Sequence, residues 1–422
     1  MSGLRIRGPV SLSGSLRVQG SKNGVLPVMA AAVLNRETVV IDNVPGIQDV
    51  FCMMGILDSL GCRVELRGNR LTVCGAGVNR SAVDKEQMGR MRSSIMLLGP
   101  LLGRLGRADI SSPGGCSIGL RPIDMHRRAL EAMGAVFEER DGELKVRCEC
   151  LRGASIDLAY PSVGATENVI MAAVLAEGRT ELAGAAREPE VEGLCRFLNG
   201  CGARIQGGGT GRICIEGVSA LKGCTFSMDG DRIVAGTYLM AAAASGGCVR
   251  MDGVSGGQLK AVLDVLERAG ARVRDSGEEI SLKAPKRLYG IQTVTGPYPE
   301  FPTDLQSPLM ALCATAAGRS VIEETVFEGR FKTADQLARL GASIGVRGRL
   351  AEIDGRRILV GGRVEATDLR GGAALVIGGL TAAGITYIGR REYIDRGYED
   401  IVRDLRLLGA DIEDSDGYEG KI

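Results

Sequence analysis

The chain of 422 residues contains no tryptophan and a single histidine, His126, and aromatic residues make up 4% of it. Each shortage removes a class of chemistry. One histidine cannot build a His-rich zinc site, and the 12 cysteines include no CxxC pair with the spacing of a four-Cys site. A Ser-His-Asp triad has only His126 to use. No GxxxxGK[ST] loop and no GxGxxG fingerprint is present, so nucleotide hydrolysis and dinucleotide redox have no motif behind them. Neither a metal nor a cofactor is expected. The cysteines do not form the frame of a short secreted domain and read as reduced thiols in a cytoplasmic protein.

Excess charge is also missing. Lys+Arg 52 against Asp+Glu 51 leaves +1, too balanced for a broad surface that grips nucleic acid or an anionic membrane. A local basic pocket for a small anion stays open. The opening stretch carries Arg5 and Arg7 with no apolar run behind them and does not read as a secretory signal. One uncharged stretch, Gly371 to Gly389, is long enough to ask about a membrane. Six glycines break it, and its relatives elsewhere in the chain are shorter, so a buried helix followed by a strand is expected.

Repetition is what the sequence has in abundance. A helix ending in glycine and running straight into a strand recurs as "LDSLGCRVEL", "LEAMGAVFEE", "LNGCGARIQG", "LERAGARVRD", "LARLGASIGV" and "LRLLGADIED". The glycines are Gly61, Gly134, Gly202, Gly270, Gly341 and Gly409, spaced 73, 68, 68, 71 and 68 residues apart. Glycine after the last helical turn takes the left-handed conformation without a Cβ clash. A second element alternates with the first: a helix of small apolar residues, then a strand, as in "MAAAVLNRETVVIDNV" and "LMAAAASGGCVRMDG". Helices apolar all round belong inside. Six units of roughly 70 residues, each with a buried helix, predict two α/β domains of three units each, with a cleft between them as the default ligand site.

The loop "SSPGGCSIGLRPID" does not fit the repeat. Cys116 follows Pro113, Gly114 and Gly115, where no core can form, and Arg121 comes five residues later. A thiolate is favoured near cations, so Arg121 would lower the pKa of Cys116. The two glycines would let the loop act as a lid.

The residues off the repeat pattern form an ordered set. It comprises "GSKNGVLP" (20 to 27), "MRSSIMLLGPLL" (91 to 102), "PGGCSIGLRPIDMH" (113 to 126) and "PSVGATENVIMAA" (161 to 173). It continues with "AAREPEV" (185 to 191), "FPTDLQ" (301 to 306), "ETVFEGRF" (324 to 331), "ATDLR" (366 to 370) and "DRGYE" (395 to 399). In order and spacing the set resembles the UDP-N-acetylglucosamine 1-carboxyvinyltransferase family, the enolpyruvyl transferases that begin peptidoglycan synthesis. The resemblance covers essentially the whole chain. It implies two inverse α/β barrels of three repeats each. The first would span 22–229, with the nucleotide loop and the Cys lid, and the second would combine 1–21 with 230–422.

The resemblance also implies the reaction. An enolpyruvyl group moves from phosphoenolpyruvate to the 3-hydroxyl of UDP-N-acetylglucosamine by addition and elimination, and phosphate leaves. Such chemistry needs cations for phosphate and carboxylate, an acid for the methylene carbon and a base for the hydroxyl. Lys22 sits in a Ser-Lys-Asn turn before an apolar helix, where free N–H groups favour a phosphate. Arg121 and Arg396 offer planar forks for phosphate or carboxylate.

By resemblance, phosphoenolpyruvate is held by Lys22, Asn23, Arg121, Arg330 and Arg396. Cys116 donates the proton, forms a covalent phosphoenolpyruvate adduct and is the residue alkylated by fosfomycin. Asp304 is the base, although an Asp after Pro-Thr is also a common helix N-cap. Lys22 and Arg396 count with Cys116 and Asp304 among the catalytic groups. The sugar nucleotide is implied at Arg92, Arg121, Pro122, Ile123, Asp124, Met125, Ser162, Val163, Gly164, Asp304 and Val326. Asp368 and Arg370 match residues that close the cleft. His126 either touches the nucleotide or is a structural histidine, and the sequence leaves both open. A monomer is the expected state.

Some positions depart from the family pattern. Tyr160 stands where some members have lysine, Gly329 where asparagine is frequent, Thr333 where histidine is common, and Val234 where an acidic residue occurs. Two alternatives follow. A 5-enolpyruvylshikimate-3-phosphate synthase-like transferase shares the early lysine turn but lacks the "PGGC" lid and the "PSVGATEN" loop. A catalytically silent sugar-nucleotide-binding paralogue would not need Lys22, Cys116, Arg121, Asp304 and Arg396 together.

Overall fold

The six glycine turns form as the sequence predicts, and they share one hydrogen-bond pattern. In the computed structural model, which describes residues 2–83, 92–111, 123–140, 142–356 and 358–416, all six have φ between +87° and +102°. At each one, the N–H of the residue after glycine donates to the carbonyl five positions back. Cys62 reaches Leu57 at 3.0 Å, Ala203 reaches Leu198 at 3.0 Å and Ala410 reaches Leu405 at 2.9 Å. The glycine N–H itself donates three positions back, as Gly61 does to Asp58 at 2.9 Å. This paired closure satisfies the last carbonyls of the helix and aims the chain directly into a strand.

The first repeat shows the plan. The buried helix Lys22–Ala31 leads to the strand Thr38–Asp42, then to the helix Gln48–Ser59, and then to the hairpin Arg63–Arg67 and Arg70–Cys74. Arg70–Cys74 lies between Thr38–Asp42 and Arg63–Arg67, antiparallel to both. Inward residues Val39, Ile41, Leu71 and Val73 alternate with more exposed ones, the period of a sheet with one buried face. In the last repeat the middle strand comes from the N-terminal segment rather than from a hairpin, next to the strand Asp411–Asp416. That middle strand is Ser2–Gly8, with Arg5 opposite Glu413.

The chain divides into two compact units. One holds the described residues from 20 to 229, the other those up to 19 and from 230 onward. Among the described residues each has three sheets and its own apolar core, formed by residues 25–228 in one and by 4–18 with 233–412 in the other. Within each unit, short parallel pairings tie one repeat to the next. Thr225–Ser227, at the end of the third repeat, lies parallel to Thr38–Asp42 of the first. Gln292–Val294 joins Arg319–Glu323 in the same manner in the other unit.

The helices inside are built from small side chains for a geometric reason. A Cβ at Gly99, on the helix Leu98–Leu105, would sit 2.3 Å from the carbonyl oxygen of Asn168 on the helix Val163–Ala173. Only glycine permits that approach. The uncharged stretch resolves as the helix Leu369–Thr381, buried throughout from Arg370, followed by the strand Ala382–Gly389. Among the described residues no helix is long and apolar enough to cross a membrane.

Candidate functional site

In the unit formed by residues 20–229, Lys22 is the first residue of its helix, capped by Ser21, whose Oγ accepts from the N–H of Gly24 at 3.1 Å. The ammonium of Lys22 lies 3.0 Å from Oδ2 of Asp49, and both side chains are buried. Lysine at a helix start opposes the macrodipole, so the carboxylate of Asp49 balances the local positive charge. Asn23, the next residue, is half-buried.

The nucleotide-loop candidates converge. Ile123 precedes the helix Asp124–Ala132, which contains Asp124 and Met125, and Ser162 caps the helix that begins with Val163 and Gly164. His126 joins the two segments. It is buried, and its Nε2 lies 3.1 Å from where a Cβ on Gly164 would be. Asn168 fixes the same region: its Nδ2 donates to the carbonyls of Gly164 at 3.1 Å and Ile95 at 3.2 Å, and its Oδ1 accepts from Gly99 at 2.8 Å. Ile95 belongs to the 3-10 segment Arg92–Leu97, so Asn168 also positions the segment that opens with Arg92. The side chain of Arg92, and Cys116, Arg121 and Pro122 entirely, lie outside the described residues.

Glu167 is fully buried in this unit, and neither carboxyl oxygen has a hydrogen-bond partner among the described residues. Burial pushes its carboxyl well above the usual carboxylate range, with Glu190 and Glu188 adding to the shift. Both effects favour its protonated form.

The other unit gathers a second group. Asp304 lies in the first turn, Thr303–Leu305, ahead of the helix Gln306–Cys313. Its Oδ2 accepts from Arg370 Nη2 at 2.8 Å, and its Oδ1 accepts from Arg330 Nη2. Both guanidinium groups are buried. Burial pushes the guanidinium of Arg370 down, but Asp304, Tyr398 and Asp231 outweigh it and hold the group charged. Arg330 is oriented further by Thr303, whose Oγ1 accepts from its Nε at 3.2 Å, and by the ring of Phe327 at 5.2 Å. Thr303 in turn donates to Glu324 at 2.9 Å, and Glu324 accepts from the N–H of Val326 at 2.8 Å.

Asp368 caps the helix Leu369–Thr381, accepting from the N–H groups of Arg370 at 2.9 Å and Gly371 at 3.0 Å. Asp368 thus fixes the backbone from which Arg370 reaches Asp304. Arg396 sits in a half-buried turn stapled by Gln19, which donates to the carbonyl of Gly397 at 3.1 Å and accepts from the N–H of Glu399 at 2.8 Å.

Asp304, Arg330 and Arg370 thus meet, with Asp368 bonded directly to the backbone of Arg370 and Val326 linked to Arg330 through Glu324 and Thr303. Ile123 to Met125 meet Ser162 to Gly164 through His126. Sequence reasoning missed Asp49, Asn168, Thr303 and Glu324. Three of the four lie inside motifs already quoted, where only a neighbour was given a role; Asp49, in "IQDV", carries no local signal.

Comparison with known proteins bears on the whole chain. Residues 6–405 match the family described as EPSP synthase (3-phosphoshikimate 1-carboxyvinyltransferase). The chain is 45% identical to UDP-N-acetylglucosamine 1-carboxyvinyltransferase 2 of Carboxydothermus hydrogenoformans, over 97% of this chain and 98% of the relative. It is 47% identical to UDP-N-acetylglucosamine 1-carboxyvinyltransferase 1 of Symbiobacterium thermophilum, over 96% and 94%. Among solved structures, the enolpyruvyl transferase NikO from Streptomyces tendae superposes with a TM-score of 0.88 at 26% identity, covering 98% of this chain and 99% of that one. EPSP synthase from Acinetobacter baumannii shares the fold, with a TM-score of 0.76 at 20% identity, over 98% and 100%.

Proposed function

The chain belongs to the UDP-N-acetylglucosamine 1-carboxyvinyltransferase family, and from that membership we infer that it moves the enolpyruvyl group of phosphoenolpyruvate onto the 3-hydroxyl of UDP-N-acetylglucosamine. The observation that carries the reading is 44–47% identity over 96–98% of the chain to proteins of that name. The shikimate-type alternative has behind it the family match over residues 6–405 and a fold shared at 20% identity, against 44–47% identity to the proteins named above. We propose that the protein works at the start of peptidoglycan synthesis, in the cytoplasm, on two small-molecule substrates and as a monomer.

The chemistry divides into addition and elimination. The 3-hydroxyl oxygen bonds to C2 of phosphoenolpyruvate, its proton goes to Asp304, and the methylene C3 takes a proton from Cys116. A methyl group and a tetrahedral carbon bearing phosphate result. The Cys116 thiolate then takes back a proton from that methyl group, the double bond re-forms as the C2–O bond to phosphate breaks, and the departing phosphate takes the proton held by Asp304.

Lys22, Asn23, Arg121, Arg330 and Arg396 bind the phosphate and carboxylate, because charge-assisted hydrogen bonds to anionic oxygens are the strong ones. Arg92, Arg121, Pro122, Ile123, Asp124, Met125, Ser162, Val163, Gly164 and Val326 bind the sugar nucleotide with Asp304. The geometry around Asp304 supports its role: two buried guanidiniums fix both carboxyl oxygens, so the base is pre-oriented. Asp368 and Arg370 act as closing residues, and Cys116 is the group that fosfomycin alkylates.

Phosphate release tests the reading. Turnover with UDP-N-acetylglucosamine and none with shikimate 3-phosphate supports it. The reverse preference supports the shikimate alternative, and no turnover with either supports a silent paralogue.

A further inference from the structure

Cys201 and Cys224 are 23 residues apart in sequence, and their sulfur atoms are 3.1 Å apart in the fold. Neither takes part in the chemistry above, and no spacing motif links them. We propose that these two thiols form a reversible disulfide when the protein meets a hydroperoxide, making this pair a redox modification site in the unit formed by residues 20–229.

The geometry is set by backbone on both sides. Cys201 ends the helix Pro189–Gly200, its N–H donating to Phe197 at 3.1 Å and Leu198 at 3.0 Å, while its carbonyl accepts from Lys222 at 2.8 Å. The carbonyl of Cys224 accepts from Val40 at 2.9 Å, which pins it beside the strand Thr38–Asp42. The segment between them is held again where Asn35 donates to the carbonyl of Lys222. Phe197 and Phe226, close to each cysteine in sequence, pack edge to face with centroids 5.6 Å apart. A disulfide requires sulfurs at about 2.04 Å. The two sulfurs must approach by about 1.1 Å to reach that length.

The two thiols differ in access. Cys201 is buried, and Cys224 is half-buried. Burial pushes the thiol of Cys201 up, with Cys224 as the next contribution, which keeps Cys201 protonated and unreactive alone. Cys224 therefore reacts first. Its sulfur attacks one peroxide oxygen, the O–O bond breaks, and Cys224 sulfenic acid and water form. The Cys201 sulfur then attacks the Cys224 sulfur, the S–O bond breaks, and a second water carries away the remaining proton. Two thiols are oxidised, one peroxide is reduced, and two waters leave.

The test uses the full-length native protein treated with hydrogen peroxide, quenched in acid with a thiol-blocking reagent and digested with trypsin. The expected product is the peptide FLNGCGAR (197 to 204) joined to GCTFSMDGDR (223 to 232), two hydrogens lighter than the separate peptides, and separated again by dithiothreitol. Cys201→Ser and Cys224→Ser should each abolish it. The oxidised wild type should also melt higher than the reduced one, a difference absent in Cys224→Ser. Peroxide that leaves both peptides as free thiols, or carries Cys224 to sulfinic acid without the cross-link, would overturn the proposal. So would a cross-link that persists in either serine variant.

Discussion

The carboxylate of Asp304 is shared between two buried guanidinium groups, with Arg370 Nη2 2.8 Å from Oδ2 and Arg330 on Oδ1. The arrangement orients the carboxylate and ties its stability to both arginines. Arg370→Ala leaves a mostly buried carboxylate with one cation and is expected to cost about 3–5 kcal/mol, as removing one partner of a buried pair does. Urea unfolding measures that loss. Asp304→Asn keeps the shape and removes the base. It should lower kcat by about 10²–10⁴-fold, with a much smaller change in the KM for UDP-N-acetylglucosamine.

Lys22 and Asp49 separate stability from function. Asp49→Ala takes a carboxylate away from a buried ammonium and should destabilise by about 3 kcal/mol, whereas Lys22→Met with Asp49→Leu replaces the pair by apolar groups and should recover most of that loss. If Lys22 binds phosphoenolpyruvate, the double variant folds well and still fails to turn over. Denaturation and phosphate release on the same samples distinguish the two effects.

A methyl group on Gly164 would stand 3.1 Å from Nε2 of His126, so the ring or the turn must give by a few tenths of an ångström to admit it. Gly164→Ala should therefore shift the turn that starts with Ser162. The expected cost is about 1–3 kcal/mol, typical of overpacking. Calorimetry should show weaker binding of UDP-N-acetylglucosamine in the same variant. Unchanged affinity would remove Ser162, Val163 and Gly164 from the nucleotide site.

Glu167 makes stability depend on pH in a stated direction. Its folded-state pKa is raised well above 4.5, so the folded protein holds a proton that the unfolded chain releases. Unfolding stability then falls as pH rises above the unfolded value, toward the folded one, and this contribution is fully favourable only below that window. Glu167→Gln removes the proton linkage. Its stability relative to wild type should rise steadily from about pH 4.5 upward; a constant difference across pH would show that Glu167 is not the group responsible.

The repeats were legible because their signals are local. Gly61 and its five equivalents close helices through bonds spanning five residues, and the sequence around each carries the whole pattern. The buried helices were legible for the same reason, as the stretch from Gly371 onward shows. Partners distant in sequence were not. Nothing near Lys22 announces Asp49, and nothing near Asp304 announces Thr303 bonded to Glu324. The pairing of Ser2–Gly8 with Asp411–Asp416 likewise joins residues about 400 positions apart, and neither segment carries a local sign of it. Side-chain roles at Asp304 and Arg370 came from resemblance, whereas the bond between them came from the fold.

The most direct measurement identifies the product. Phosphoenolpyruvate and UDP-N-acetylglucosamine are incubated with the enzyme, phosphate is counted, and the nucleotide sugar is examined by mass spectrometry and proton NMR. The account predicts one carboxyvinyl ether on the 3-oxygen for each phosphate released, with its two vinyl protons visible, and no product when shikimate 3-phosphate is the acceptor. Phosphate released without a new ether, or an ether formed only on the shikimate acceptor, would contradict it.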